Sequence, residues 1–125
     1  MRKNKYRKSK MYALILNWDL SQKSKEMFQT LREYIKNESW KRYENKSGLI
    51  QKTWYSNEET GQFGGIYLWE TKEAMEEEIG TMYRVKAITG VDPTITRLNV
   101  EAIQEGKHNI KKLTEIGLAW KNKNS

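Results

Sequence analysis

The stretch that decides the fold is "TGQFGGIYLWE", residues 60–70, where a glycine-rich segment leads into alternating apolar residues. A Rossmann fingerprint needs G-x-G-x-x-G between a strand and a helix, and a P-loop needs Gly-Lys followed by Ser or Thr. Neither pattern occurs here, because Gly61, Gly64 and Gly65 have a different spacing and precede a strand. The glycines therefore predict a hairpin turn in which they supply positive φ, rather than a nucleotide site.

The segments on either side of this turn alternate with the period of β-strands. Residues 48–56, "GLIQKTWYS", come before the turn, and residues 65–70 come after it. Successive side chains of a strand point to opposite faces of the sheet. The side chains predicted to share a face are Lys52 with Trp54, Tyr67 with Trp69, and Ile66 with Leu68.

The remaining sequence supplies two further strands and two helices. Apolar residues recur at helical spacing in two segments, and Thr71 and Gly90 are suitable caps for the second helix. The resulting order β-α-β-β-α-β predicts an α+β protein with a ferredoxin-like antiparallel sheet and both helices on one face. The predicted elements are a strand at 11–18, a helix at 19–43, strands at 48–56 and 65–70, a helix at 71–89 and a strand at 94–103.

The chain divides into a basic arm, one domain and a C-terminal extension. Residues 1–10 are predicted to be a disordered arm with six basic side chains, and residues 11–103 form the ferredoxin-like domain. Residues 104–125 form the extension. The residues that give it the spacing of a short helix are Ile110, Leu113, Ile116 and Trp120.

The net charge of +7 belongs to the ends of the chain. Residues 11–120 hold fifteen basic and sixteen acidic residues, whereas a nucleic-acid-binding domain is expected to show a basic face on its body. Binding of RNA or of a membrane surface is therefore expected only through the basic arm. No apolar run approaches the roughly 18 residues of a membrane span.

Several classes of chemistry lack the residues that they need. The chain has no cysteine and a single histidine, His108, so we expect no disulfide, no metal site and no other cofactor. Nothing calls for an oxidising compartment, and a cytoplasmic location is expected. The run Glu76–Glu78 is interpreted as a solvated helix face, because consecutive helical positions point about 100° apart.

The sheet face opposite the helices carries too many apolar side chains to lie against water. Two copies packed sheet against sheet would bury that face, so we expect a homodimer. Aromatic residues are also frequent, with five Trp and seven Tyr. They either fill a packed dimer core or form the walls of an apolar pocket with a few polar groups, suited to a small aromatic or hydrophobic ligand.

Residues 48–70 resemble the YdhR family of mono-oxygenases. The resemblance rests on "GLIQKTW", on the acidic pair of "NEETG" and on "GGIYLWE". These segments place Lys52, Trp54, Glu58–Glu59 and Gly64–Leu68 in the order of the family pattern. The similarity is specific in this region and extends more loosely over residues 11–103.

The resemblance implies a dimeric α+β barrel and a cofactor-independent mono-oxygenase of polyketide-like or quinol-like aromatics. The substrate anion itself would reduce oxygen, and the protein would bind it, deprotonate it and exclude water. Met82 stands where the family carries a histidine in the second helix, so the catalytic base stays unassigned. Apolar walls and polar anchors for the substrate are expected from Lys52, Trp54, Tyr67, Trp69, Tyr83 and Arg97.

The alternative reading is a non-catalytic ligand-binding or stress-associated module on the same fold. The same pocket residues would serve both functions, so the sequence leaves the two open. Measuring oxygen consumption distinguishes the mono-oxygenase from the non-catalytic module.

Overall fold

The computed structural model describes residues 10–124, so the basic arm predicted at 1–10 lies outside the described residues except for Lys10. The described part is a four-stranded antiparallel sheet with the long helices packed on one face. This is the predicted ferredoxin-like α+β fold, with an additional short element at the C-terminal end.

The sheet contains strands β1 (Tyr12–Asp19), β2 (Leu49–Asn57), β3 (Gln62–Trp69) and β4 (Thr94–Asn99). Their order across the sheet is β2-β3-β1-β4, and every neighbouring pair is antiparallel. The two central strands are therefore β3 and β1, whereas β2 and β4 form opposite edges. This order places the side chains of β2 and β4 far apart.

The first helical segment runs from α1 (Glu26–Tyr34) through a π turn (Ile35–Ser39) into α2 (Trp40–Tyr43). It begins later than predicted, because the Asp19 carboxylate accepts a hydrogen bond of 3.0 Å from the Ser21 amide and holds a turn before the helix.

The second helical segment is divided into α3 (Lys72–Thr81) and α4 (Arg84–Thr89). Thr71 caps α3 as predicted, because its hydroxyl accepts a hydrogen bond of 3.1 Å from the Ala74 amide. Gly90 ends α4 with a φ of 78°. The predicted single helix is interrupted at Met82, whose φ of −87° and ψ of 73° leave the helical region.

The core lies between the sheet and the helices. On β3, Trp69 is 0% and Tyr67 is 3% exposed, whereas Ile66 is 42% exposed on the opposite face. The alternation predicted from the sequence is therefore confirmed for this strand. The other large core residues include Leu14, Leu16, Trp18, Phe28, Leu31 and Met75.

The three glycines around the β2–β3 turn serve two different purposes. Gly61 supplies the positive φ that the turn requires, at 79°. Gly64 and Gly65 lie inside β3 and supply space instead, because a Cβ at Gly64 would lie 2.1 Å from the Leu16 carbonyl oxygen. A Cβ at Gly65 would lie 3.3 Å from Cε of Lys52. The predicted positive φ is confirmed for Gly61 and is wrong for Gly64 and Gly65, although Gly65 lies in the strand predicted at 65–70.

The C-terminal extension contains less regular structure than predicted. Strand β4 ends at Asn99, and residues 100–117 contain no helix or strand. A 3₁₀ helix (Leu118–Asn124) takes the place of the predicted helix, and Trp120 packs edge-on against Trp40 with ring centroids 5.2 Å apart. Among the described helices, none is long and apolar enough to cross a membrane.

Candidate functional site

A cavity of about 250 Å³ lies on the helix side of the sheet, lined by β1, β2, β3, the α1–α2 segment and the α3–α4 segment. Its walls combine aromatic rings with a few ionisable groups, which is typical of small-molecule sites. The residues that give it this character are Trp18, Tyr43, Lys52, Trp54, Tyr67 and Glu78.

Lys52 is the chemically unusual residue of this cavity. Its Nζ lies 3.6 Å from the centroid of the Tyr43 ring and 4.5 Å from the ring centroids of Trp54 and Tyr67. We call these three rings the aromatic cage. The face of an aromatic ring attracts a cation, but three rings also remove water from the amine.

Burial lowers the pKa of the Lys52 amine well below its ordinary value. The Glu78 carboxylate opposes this shift and the Arg42 guanidinium reinforces it. The amine is therefore more readily neutral than that of a surface lysine, and a new negative charge beside it would favour its protonation.

Tyr43 and Glu78 form a buried hydrogen-bonded pair at the back of the cavity. The Tyr43 hydroxyl donates to Oε2 of Glu78, and the Glu78 side chain is 3% exposed. Burial and the Glu78 carboxylate raise the pKa of Tyr43, and burial also raises the pKa of Tyr67. Both phenols therefore keep their protons at neutral pH and act as donors, whereas Lys52 can accept a proton.

The Arg42 side chain also contacts Tyr43. Its guanidinium donates a hydrogen bond of 2.6 Å to the Tyr34 hydroxyl and lies 5.2 Å from the centroid of the Tyr43 ring. Because Arg42 also lines the cavity, it adds a fixed positive charge near Lys52.

The π turn determines why Tyr43 reaches the cavity. In a regular α-helix, residues four apart are rotated by about 40° relative to each other around the helix axis. Three such steps lead from the buried Leu31 to Tyr43, and the accumulated rotation would turn Tyr43 away from the core. The π turn at Ile35–Ser39 has more residues per turn and so offsets this rotation. As a result, Ile35, Ser39 and Tyr43 are all buried. Single π turns of this kind are frequent at functional sites.

Three of the six predicted site residues meet in the cavity, namely Lys52, Trp54 and Tyr67. Trp69 lies behind them and stacks on Tyr67, with ring centroids 5.8 Å apart and an interplanar angle of 12°. It supports the wall without reaching the open space.

The other two predicted residues lie outside the cavity. Tyr83 is 62% exposed because the helix breaks beside it. Arg97 lies on the edge strand β4 and forms an ion pair with Glu76, with nitrogen–oxygen distances of 2.7 and 3.1 Å. Its guanidinium is therefore occupied by Glu76 at the edge of the sheet opposite Lys52, on the same face.

The sequence analysis missed Tyr43 and Glu78. The expectation that Glu76–Glu78 form a solvated face is wrong for Glu78, which is buried. A signal was present, because Glu78 follows Met75 by three residues and precedes Met82 by four, on the apolar side of the helix. His108 is exposed as expected, and residues 10–124 contain no group of three metal-ligating side chains.

The contribution of the Tyr43–Glu78 pair to stability is testable. Tyr43→Phe is expected to lower the free energy of unfolding by about 1–3 kcal/mol, because it removes a hydrogen-bond donor from the buried Glu78 carboxylate. Tyr43→Phe combined with Glu78→Leu should recover most of this loss, because both partners are then apolar. Urea unfolding measures both, with the exposed Tyr83→Phe as control. A single-variant loss no larger than that of the control would contradict the pairing.

The fold and the cavity define a small ferredoxin-like α+β protein with an aromatic-walled space between sheet and helices. The chain belongs to the family described as "Putative mono-oxygenase ydhR", which it matches over residues 15–117. The resemblance inferred from residues 48–70 is confirmed. No curated protein matches the chain.

The fold is similar to solved structures of low sequence identity. One is a monooxygenase of Streptomyces coelicolor, ActVA-Orf6, in complex with nanaomycin D, with 10% identity, a TM-score of 0.58, and coverage of 77% of this chain and 92% of that chain. Another is a dimeric ferredoxin-like protein from an uncultured marine organism, with 13% identity, a TM-score of 0.52, and coverage of 76% and 98%. SnoaB, a cofactor-independent oxygenase of Streptomyces nogalater, has 11% identity, a TM-score of 0.50, and coverage of 78% and 97%.

Proposed function

We propose that this protein is a cofactor-independent mono-oxygenase of a small aromatic substrate that carries an acidic hydroxyl, such as a phenol, an enol or a quinol. The family and two neighbours described as a monooxygenase and a cofactor-independent oxygenase support the reaction class. The observation that carries the proposal is Lys52, whose amine lies among three aromatic rings at the wall of the cavity.

Lys52 is the proposed base. The neutral amine takes the proton of the substrate hydroxyl and becomes an ammonium ion, while the substrate becomes an anion. The ammonium ion is then stabilised by the faces of the aromatic cage and by the adjacent substrate oxygen. Desolvation thus favours the neutral amine in the empty site, whereas substrate ionisation supplies the charge that makes protonation favourable.

The substrate anion then supplies the electrons for oxygen reduction. For a phenol oxidised to a quinone, one oxygen atom enters the ring as a carbonyl. The other leaves as water with the two hydrogen atoms that the substrate loses. No external reductant is needed for this balance. The protein excludes bulk water and orients the ring against the aromatic cage.

Oxygen consumption tests the proposal. A panel of quinols of one to three rings is mixed with the full chain, and oxygen uptake is recorded together with ligand binding by tryptophan fluorescence. Uptake that scales with protein concentration and yields a quinone with one more oxygen atom than the quinol supports the mono-oxygenase, because simple oxidation of a quinol to its quinone inserts no oxygen. Binding without any uptake would overturn it and favour the non-catalytic ligand-binding module.

We further propose that the protein is a homodimer that packs its outer sheet faces together. The outer face exposes Ile66 and Leu98, at 42% and 46%. A neighbour with this fold is described as dimeric. Burying such a face would stabilise the dimer by about 25 cal/mol for each Å² of apolar surface removed from water.

Light scattering after size exclusion tests the dimer. The chain is expected to elute with twice its mass of 14.9 kDa at micromolar concentration. Ile66→Glu should give a folded monomer, because it would place two carboxylates in an apolar interface. The control Lys41→Glu, on the exposed side of α2, should remain dimeric. A wild-type monomer would overturn the dimer.

A further inference from the structure

Lys52 has a second chemical capability that requires no oxygen. Its side chain crosses from the edge strand β2 over β3, and its Cε passes close to Gly65, where any larger residue would narrow the space. Within residues 10–124, the Nζ makes no hydrogen bond or ion pair, and its neighbours are the three ring faces of the cage. When the amine is neutral, no group in the described part of the chain therefore occupies its lone pair, which is available at the wall of the cavity.

We propose that Lys52 is a nucleophilic amine that condenses with small aromatic aldehydes or ketones to form an imine. The cavity of about 250 Å³ has room for a ligand of one or two rings, and Trp54 and Tyr67 offer flat surfaces against which such a ring can pack. The ligand class is a carbonyl carbon attached to an aromatic body without a formal charge. This inference goes beyond the proposed oxygenase, because it predicts a covalent adduct under anaerobic conditions.

The condensation balances with the carbonyl compound as the sole co-reactant. The Lys52 nitrogen forms a bond to the carbonyl carbon as the carbon–oxygen π bond breaks, which gives a carbinolamine. The nitrogen then loses its two hydrogens in total and the departing oxygen gains them, so water leaves and a carbon–nitrogen double bond remains. No oxidant or reductant takes part.

Neighbouring groups favour both halves of this step. Desolvation of the amine, which lowers the pKa of Lys52, keeps a larger neutral fraction available for attack than a surface lysine has. The Tyr43 hydroxyl, held by Glu78 in the same cavity, keeps its proton at neutral pH and is a candidate acid for the departing water. Arg42 adds a positive charge that disfavours protonation of the amine.

Reductive trapping tests the proposal on the full chain. The protein is incubated at pH 7 under argon with benzaldehyde and sodium cyanoborohydride, which converts an imine into a stable benzyl-lysine. Peptide mapping by mass spectrometry then gives the modification rate of every lysine. Lys52 is expected to react at least about tenfold faster than the exposed Lys41 and Lys72, because each unit by which a pKa falls gives a tenfold larger neutral fraction.

The comparison among lysines within one wild-type sample makes the test independent of variant folding. Lys52→Met should remove the fast site and leave the slow labelling of the other lysines unchanged. Labelling of Lys52 at the rate of Lys41 or slower, in folded protein, would overturn the proposal. Because the assay excludes oxygen, its failure leaves the oxygen-uptake result intact, and loss of oxygen uptake leaves the adduct intact.

Discussion

Lys52→Met is expected to reduce protein-dependent oxygen uptake with a quinol substrate by about 10²- to 10⁴-fold, the usual contribution of a positioned general base. Methionine keeps the unbranched apolar stem of the side chain as far as the position of Cε, so most of the packing against the aromatic cage is retained. The variant loses only the amine that accepts the substrate proton. Substrate binding, measured anaerobically by fluorescence, should change much less than turnover.

The same variant should change how stability depends on pH. In the folded protein the Lys52 amine has a lowered pKa, whereas in the unfolded chain it titrates near ~10.4. Between these two values the unfolded state binds a proton that the folded state lacks. The free energy of unfolding of the wild type therefore rises with pH in this window, by at most about 1.4 kcal/mol per pH unit.

Lys52→Met lacks this slope and is expected to be more stable than the wild type at neutral pH. Urea unfolding between about pH 7 and pH 9 measures it, below the range in which tyrosines of ordinary pKa near ~10 titrate. Of the charged groups around the cavity, Glu78 and Arg42 influence the Lys52 pKa directly.

The control is Lys41→Met, which removes an exposed lysine from α2, away from the cavity. It should keep both the oxygen uptake and the pH dependence of the wild type. If Lys52→Met retained full turnover, the base would have to be another group of the cavity, and Glu78 would be the next to test. If the variant kept the wild-type pH slope, the amine would be solvated instead of caged.

The sequence predicts the parts of this molecule that depend on local periodicity. Alternation along β3 assigns Tyr67 and Trp69 to the buried face, and the caps at Thr71 and Gly90 follow from side-chain chemistry and from positive φ. Lys52 and Trp54 follow from the same period on β2, and both reach the cavity. These conclusions need only the spacing of neighbours along one element.

The site residues that were missed depend on relations between distant elements. Tyr43 and Glu78 are 35 residues apart and meet only because a π turn rotates α2 toward the cavity. The local sequence does not predict that π turn. The placement of Arg97 is different, because a ferredoxin-like order puts β4 at the edge opposite β2. Three strand spacings of about 4.8 Å then separate Arg97 from Lys52.

Gly64→Ala should destabilise the fold by roughly 3 kcal/mol or more, because its Cβ cannot be accommodated without moving the backbone. That atom would lie 2.1 Å from the Leu16 carbonyl oxygen and 2.6 Å from the Tyr55 hydroxyl. The Tyr55 hydroxyl reaches from β2 across β3 and donates a hydrogen bond of 2.6 Å to Oδ1 of Asn17 on β1. Gly64 lies directly under this bridge, between Tyr55 and Asn17 in the strand register.

The matched control is Gly80→Ala, at a helical glycine in α3 where an added Cβ meets nothing within 4 Å. It should stabilise the protein by about 0.5–1 kcal/mol, because alanine loses less conformational freedom than glycine in a helix. Gly65→Ala should fall between the two, because its closest contacts, at 3.2 and 3.3 Å, are side-chain atoms of Tyr67 and Lys52. Urea unfolding compares the three variants.

The order of these three stabilities tests the register of the central strands as well as the role of the glycines. A slip of β3 by one residue would put Gly65 beneath the Tyr55–Asn17 bridge and turn Tyr67 away from the core. In that case Gly65→Ala would be the most damaging substitution, and Lys52 would lose the ring of Tyr67 from its cage. If Gly64→Ala were as stable as Gly80→Ala, the pairing of β3 with β1 and β2 would be wrong, and the cavity derived from that pairing would be wrong with it.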